Sequence, residues 1–427
     1  MWASLGNNWS SAADGRAAPT DAWQQKGLWF VEAGGADASG VLNGHPTIFD
    51  GPFSWPMLTL NIANVSHNIN TLAQFCERHG LQLAPHGKTT MMPGIFRMQL
   101  DAGAWGITVA NAHQALVCRE FGIPRVILAN EVLDRRAVRW LVREHSAEAG
   151  FEILPYVDSL AGAQLLTEVA AEVAPVKPMR VLIEIGYQHG RAGSRSFERS
   201  TMLAQELRKS PYLVLAGVGA YEGSLRIDEV QPLFDDLKQH LYGLHDLGLF
   251  DGVGDVIVTV GGSKYFDLVA KAFGRGWEAP FPAQVILRSG SYVTHDDLYY
   301  SGLTPFNRVP QEGSLRSALT LWSQVLSAPE PGLAICGFGR RDVSVDQGYP
   351  IAKHLWRQGV TSRAAGHRVL KLNDQHAFLA VEEEQLLVES DVLGFGISHP
   401  CTTIDRWRRV IVVDHEYHAL GVLTTYF

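Results

Sequence analysis

Several short segments gather residue types that can do chemistry. His86-Gly87-Lys88-Thr89-Thr90 is the first. A partly buried lysine has a lowered pKa, and its free amine can then attack a carbonyl. Gly-Lys-Thr also suggests a nucleotide-binding loop, but that motif needs a glycine at the position held by Gln82. Gly261-Gly262-Ser263 is the second. Two glycines let backbone approach an oxyanion, and the following stretch has helical spacing, so its first amides would face that anion. Ser289-Gly290-Ser291-Tyr292 could add hydroxyl donors from Ser291 and Tyr292. Gln188, His189, Arg191 and Tyr221-Glu222-Gly223 are further polar, glycine-rich clusters. His399-Pro400-Cys401 is the last. Residues two apart on an extended segment point the same way, and an imidazole with a thiolate suits Zn²⁺. Each feature has a plainer reading too: a solvated lysine, an ordinary glycine turn, a buried thiol near a histidine. The ligand-rich tail Asp414–His418 reads as a polar strand end.

These clusters need elements that bring them together. Short apolar runs begin at Leu81, Gly106, Arg125, Glu152, Arg180, Leu213, Asp255 and Ala283. Longer segments with apolar residues at helical spacing separate them. Continuous apolar strands alternating with helices imply an α/β fold with a parallel sheet covered on both faces. Eight such units predict a closed (β/α)8 barrel; an open doubly wound sheet is the alternative. In a barrel, chemistry sits at the C-terminal strand ends, where these clusters fall, and a phosphate site after strands seven and eight recurs. From 291 the pattern changes to short strands and polar turns, which predicts an appended β domain. The expected division is an N-terminal segment 1–50 packing with the β domain, a barrel over 51–290 and a β domain over 291–427 carrying His399 and Cys401.

Composition narrows the class. The chain has 427 residues, 46% hydrophobic, and a net charge of −8. One barrel needs only about 250 residues, so a second domain is expected. An acidic balance argues against a nucleic-acid surface. No apolar run approaches the ~20 residues of a membrane span. The N-terminus lacks the pattern of a signal peptide, so a cytoplasmic location is expected. Cys76, Cys118, Cys336 and Cys401 form no disulfide framework.

Taken together, the motifs resemble those of the D-serine dehydratase and D-threonine aldolase family. These are fold-type III pyridoxal-phosphate enzymes related to alanine racemase. The resemblance rests on PHGKT at Pro85–Thr89, EIGYQHGRAG at Glu184–Gly193 and GAYEG at Gly219–Gly223. It continues in order with GGS at Gly261–Ser263, SGSYV at Ser289–Val293 and HPCTT at His399–Thr403. It implies an alanine racemase-like barrel plus β domain, with Lys88 as the Schiff-base lysine of pyridoxal 5′-phosphate. It places Gly261, Gly262, Ser263, Gly290, Ser291 and Tyr292 around the phosphate, and Arg191 and Tyr221 against the pyridine ring or its polar edge. A cation or phenol there is a weaker electron sink than a carboxylate, so a second electrophile is expected. His399 and Cys401 would supply it by holding Zn²⁺.

His-x-Cys resembles the dehydratase branch, since the aldolase branch usually carries His-x-Asp. The implied reaction is β-elimination of water from a β-hydroxy D-amino acid, with D-serine the first guess, giving a keto acid and ammonia. The alternatives are a D-threonine-type aldolase, an amino-acid racemase and a non-catalytic pyridoxal-phosphate carrier. The family commonly has histidine where Thr90 stands, which bears on substrate specificity. Its β domains complete a partner's site, so a homodimer is implied.

Overall fold

The structure is a computed structural model, and it describes residues 26–28, 42, 44–147 and 150–427. Strand β1 is Met57–Asn61. The barrel strands follow: β2 Gln82–Leu83, β3 Ile107–Val109, β4 Arg125–Glu131, β5 Glu152–Val157, β6 Met179–Ile185, β7 Leu213–Ala220, β8 Val256–Thr259 and β9 Ala283–Leu287. They form one 8-stranded sheet in the order β2-β9-β8-β7-β6-β5-β4-β3, and all its pairings are parallel. The two ends of that path meet. The Trp105 amide donates to the Leu83 carbonyl at 2.7 Å and the Thr108 amide to the Pro85 carbonyl at 2.8 Å. A parallel bridge joins His86 to Thr108. The expected (β/α)8 closure is therefore present, and the open sheet is excluded.

The strands read as unbroken apolar runs because both faces are buried. Inward residues such as Ile127, Leu154, Leu182, Ala216, Ile257 and Ile286 form a small barrel core. Their neighbours, such as Val126, Ile153, Val181, Leu215, Val256 and Val285, face the helical ring and join the main core. The helices start where short polar side chains can cap them. Asn61, Ser159 and Ser196 accept from the amides of Asn64, Gly162 and Arg199 in the first turns of helices Ile62–His79, Leu160–Val173 and Phe197–Leu207.

The second sheet is the appended β domain. Its strands are β10 Leu319–Glu330, β11 Leu333–Cys336, β12 Ile351–Arg357, β13 Val360–Arg363, β14 Arg368–Leu372, β15 Ala377–Ala380, β16 Val392–Gly396, β17 Arg409–Val413 and β18 Ala419–Thr424. β1 lies inside this sheet, antiparallel to β10 and parallel to β17. Residues 57–61, expected within the barrel span 51–290, thus belong to the β domain. A strand buried on both faces looks the same in either sheet, so its sequence does not reveal its partner. Leu28, Leu42 and Ile48 pack with Met57, Trp322, Ile411 and Val413 on this sheet. The rest of the 1–50 segment, apart from residues 26–27 and 44–50, lies outside the described residues. No helix among the described residues is long and apolar enough to cross a membrane.

Residues 291–318 link the two domains across the barrel mouth. Asn68, fully buried on helix Ile62–His79, ties them down. Its side-chain amide donates to the carbonyls of Val293 at 3.1 Å and Arg316 at 2.8 Å, and its oxygen accepts from the Arg316 amide at 2.8 Å. Replacing Asn68 with leucine strands one buried and two part-buried backbone groups. Chemical denaturation should then show a loss of about 2–4 kcal/mol; an unchanged midpoint would show that the linker is held by other contacts.

Candidate active site

Lys88 sits on a tight 3-10 turn, Gly87–Thr89, immediately after β2. Only glycine fits beneath it, because a Cβ on Gly87 would lie 2.8 Å from the Phe96 ring and 2.9 Å from Ile107. The Lys88 side chain is open to water at the mouth, yet protein encloses it on its other sides. That enclosure lowers its pKa: burial is the largest cause, Cys401 opposes it, and the positive charges of Arg191 and Arg288 add to it. A lysine so placed is a better nucleophile near neutral pH.

The β domain delivers its pair to the same turn. Cys401 opens a short helix after β16. Its Sγ lies 3.4 Å from the Thr89 hydroxyl and 3.6 Å from that of Ser291. Burial disfavours charge on Cys401, but hydrogen bonds from His399 and Thr89 and the charge of His399 outweigh it and lower the thiol pKa. Burial likewise opposes charge on His399, but Cys401 and Asp346 outweigh it and raise the imidazole to about 9. Asp346 holds the His399 Nδ1 at 2.7 Å. A carboxylate on one ring nitrogen is the usual way to orient a histidine toward a metal on the other. Among the described residues no group of three or more His, Cys, Asp or Glu is arranged to hold a metal ion, so the pair would leave the other coordination positions open.

The strand-seven and strand-eight turns close the ring. The Ser263 hydroxyl oxygen accepts from the amides of Gly290 at 3.3 Å and Ser291 at 3.2 Å. A Cβ on Gly290 would sit 2.7 Å from the Thr89 hydroxyl and 2.8 Å from the His86 carbonyl, so this turn touches the Lys88 turn. Arg191 lies over the Tyr221 ring at 5.1 Å, and its guanidinium is 3.8 Å from Glu184. Lys88, Arg191, Ser263, Gly290, Ser291, Tyr221 and the His399–Cys401 pair therefore share one mouth. Two expectations change. The Gly261 and Gly262 amides, expected to face phosphate, donate to the carboxylate of Glu222 at 3.2 and 2.6 Å. The Tyr292 hydroxyl, expected to do the same, is buried and accepts from Gln99 at 3.0 Å. Apolar packing of its ring turned the phenol toward helix Pro93–Asp101. Gln188 and His189 stand exposed on their loop.

Sequence reasoning missed several groups at this mouth. Arg288 is buried, donating to Thr259 at 2.8 Å and to the Ala220 carbonyl at 2.6 Å. An arginine ending an apolar strand was the available signal. Tyr299 and Tyr300 place their rings 6.2 and 6.3 Å from the His399 ring. Asp346 carried no signal, since its loop is distant in sequence. Two buried polar atoms here have no protein partner, His86 Nδ1 and Glu184 Oε2. Unpaired buried polar atoms are costly, which fits a polar ligand in this space.

The chain's similarities to known proteins agree with this layout. Residues 60–246 match the "Alanine racemase, N-terminal domain" family and residues 318–413 the "Putative serine dehydratase domain" family. The chain thus joins a region similar to the first family to a region similar to the second. It is 23% identical over 371 residues to a 3-hydroxy-D-aspartate aldolase of Paracoccus denitrificans, covering 85% of this chain and 89% of that protein. The crystal structure of D-threonine aldolase from Filomicrobium marinum superposes with a TM-score of 0.74 at 21% identity, covering 88% of this chain and 95% of the other. D-threo-3-hydroxyaspartate dehydratase from Delftia sp. HT23 gives 0.69 at 19%, covering 87% and 97%. One solved form of a D-threo-3-hydroxyaspartate dehydratase is a cysteine-to-alanine mutant described as metal-free.

The residues of this mouth fit pyridoxal phosphate. An enclosed lysine, unpartnered polar atoms beside it, and a serine that gathers two amides make a suitable donor set. The electrostatics are open to test without cofactor. Amine labelling of Lys88, followed by mass spectrometry against pH, should titrate below the ~10.4 of an ordinary lysine. Arg288→Met removes a positive charge that penalises the ammonium, so the midpoint should move up; a downward move would contradict the assignment.

Proposed function

We propose that the protein is a pyridoxal-phosphate- and zinc-dependent lyase that removes water from a β-hydroxy D-amino acid, D-serine first, yielding a keto acid and ammonia. The observation that carries this is the meeting of Lys88 with the His399–Cys401 pair through Thr89. An elimination needs a base at the α-carbon and an electrophile at the β-hydroxyl on the same small substrate. When bound, pyridoxal phosphate supplies an electron sink for negative charge at the α-carbon, and the cation supplies a Lewis acid for the departing hydroxyl.

The chain's residues divide the remaining work. Lys88 would hold the cofactor through its side-chain amine, and the same amine, when free, is placed to take the proton from the substrate's α-carbon. Its lowered pKa suits both roles. Ser263, with the amides of Gly290 and Ser291, holds the phosphate end, and Arg191 and Tyr221 border the ring. His399 and Cys401 hold the cation, with Asp346 fixing the imidazole. Retro-aldol cleavage is the second reading, favoured by the similarity to aldolases. It would use the same lysine and cation. A homodimer is also proposed: Leu298, Tyr349 and Ile351 are exposed apolar side chains, Asp346 lies close in sequence to the last two, and the ring of Tyr299, next to Leu298, is 6.2 Å from that of His399.

Three measurements test the reading. Lys88→Ala should abolish the absorbance band of the lysine-bound cofactor. His399→Ala, or exhaustive chelation, should stop turnover while that band remains; full activity without metal would eliminate the zinc role. A screen of D- and L-β-hydroxy amino acids separates outcomes, because keto acid with ammonia marks elimination and glycine with aldehyde marks retro-aldol cleavage.

A further inference from the structure

Gly261 and Gly262 point successive amides into one concavity, the kind of backbone nest that binds anions. Gly261 has φ of +101°, and a Cβ there would lie 2.5 Å from Leu287, so the turn tolerates only glycine. The nest is filled by the chain itself. Glu222, fully buried at the end of β7, places one carboxylate oxygen 3.2 Å from the Gly261 amide and the other 2.6 Å from that of Gly262. The Glu222 carbonyl also accepts from the Leu225 amide at 2.9 Å, which shapes its loop. Two further bonds fasten the same two loops: the Leu225 carbonyl accepts from Lys264 at 3.1 Å and from the Tyr265 hydroxyl at 2.8 Å.

A second anion on those amides would face a buried carboxylate at close range, where repulsion is strong. The next donor along the turn is the Ser263 hydroxyl, whose oxygen is held in place by the Gly290 and Ser291 amides. We infer that Glu222 is a positioning residue: its carboxylate occupies the double-glycine nest and thereby sets Ser263 as the seat of the cofactor's phosphate. Tyr221, over which Arg191 stacks, is the residue immediately before Glu222. This inference rests on the site being a pyridoxal-phosphate site.

The test compares two aldehydes that differ only in phosphate. Apo-protein is titrated with pyridoxal phosphate and with pyridoxal, following the cofactor absorbance band. Relative to wild type, Glu222→Ala should weaken pyridoxal phosphate by about tenfold or more, the loss expected when charge-assisted hydrogen bonds are removed, and change pyridoxal by less than about threefold. Glu222→Gln keeps one acceptor and the volume, so it should fall between, and it decides the matter if Glu222→Ala fails to fold. Equal losses for both aldehydes, or no loss for pyridoxal phosphate, would overturn the inference. Wild type binding neither aldehyde is a separate result, which would overturn the cofactor reading itself.

Discussion

The site depends on one contact between domains: the Thr89 hydroxyl, one residue beyond Lys88, against the thiol of Cys401. The lysine and the His399–Cys401 pair lie more than three hundred residues apart in the chain. Neither is unusual alone, since a lysine at a strand end and a cysteine at a short helix are ordinary features. Placed together, each alters the other. The negative charge favoured on Cys401 supports the Lys88 ammonium, while burial and two arginines push toward the free amine. The balance leaves an amine that loses its proton more readily than an ordinary lysine's.

Rigidity for that contact comes from both sheets. The barrel closes through bonds around His86 and Thr108, so the Lys88 turn hangs from the seam of the sheet. β1 stands between β10 and β17 and runs directly into the helix that precedes β2. The β domain and the start of the barrel are thus continuous along one strand–helix unit. Asn68 on that helix bonds the linker at its far side. A shift of either domain would strain a buried strand or strip a buried amide of its partners, both costly.

Charge is distributed with similar economy at the mouth. Arg191 and the buried Arg288 bring positive charge to the surroundings of Lys88. Glu184 faces Arg191 from below, and Glu222 is withdrawn into the glycine nest. Glu222 is therefore committed to protein donors, while Glu184 turns one oxygen toward Arg191 and leaves the other unpartnered.

Much of this was legible in the residues alone. The eight apolar runs specified the barrel strands because burial on both faces demands continuous hydrophobicity. The polar motifs at their ends marked the mouth, since apolar strands have no other reason to finish in His-Gly-Lys, Gly-Gly-Ser or Ser-Gly-Ser. What only tertiary structure decided were the partners. β1 could have paired in either sheet, and packing chose the β domain. Two glycine amides offered an anion site, but a buried glutamate from the preceding strand's turn took it. The Tyr292 phenol turned to Gln99 because its ring fits the core in that direction. Local patterns determine what a segment can bind; which group arrives depends on distances across the fold that no local pattern encodes.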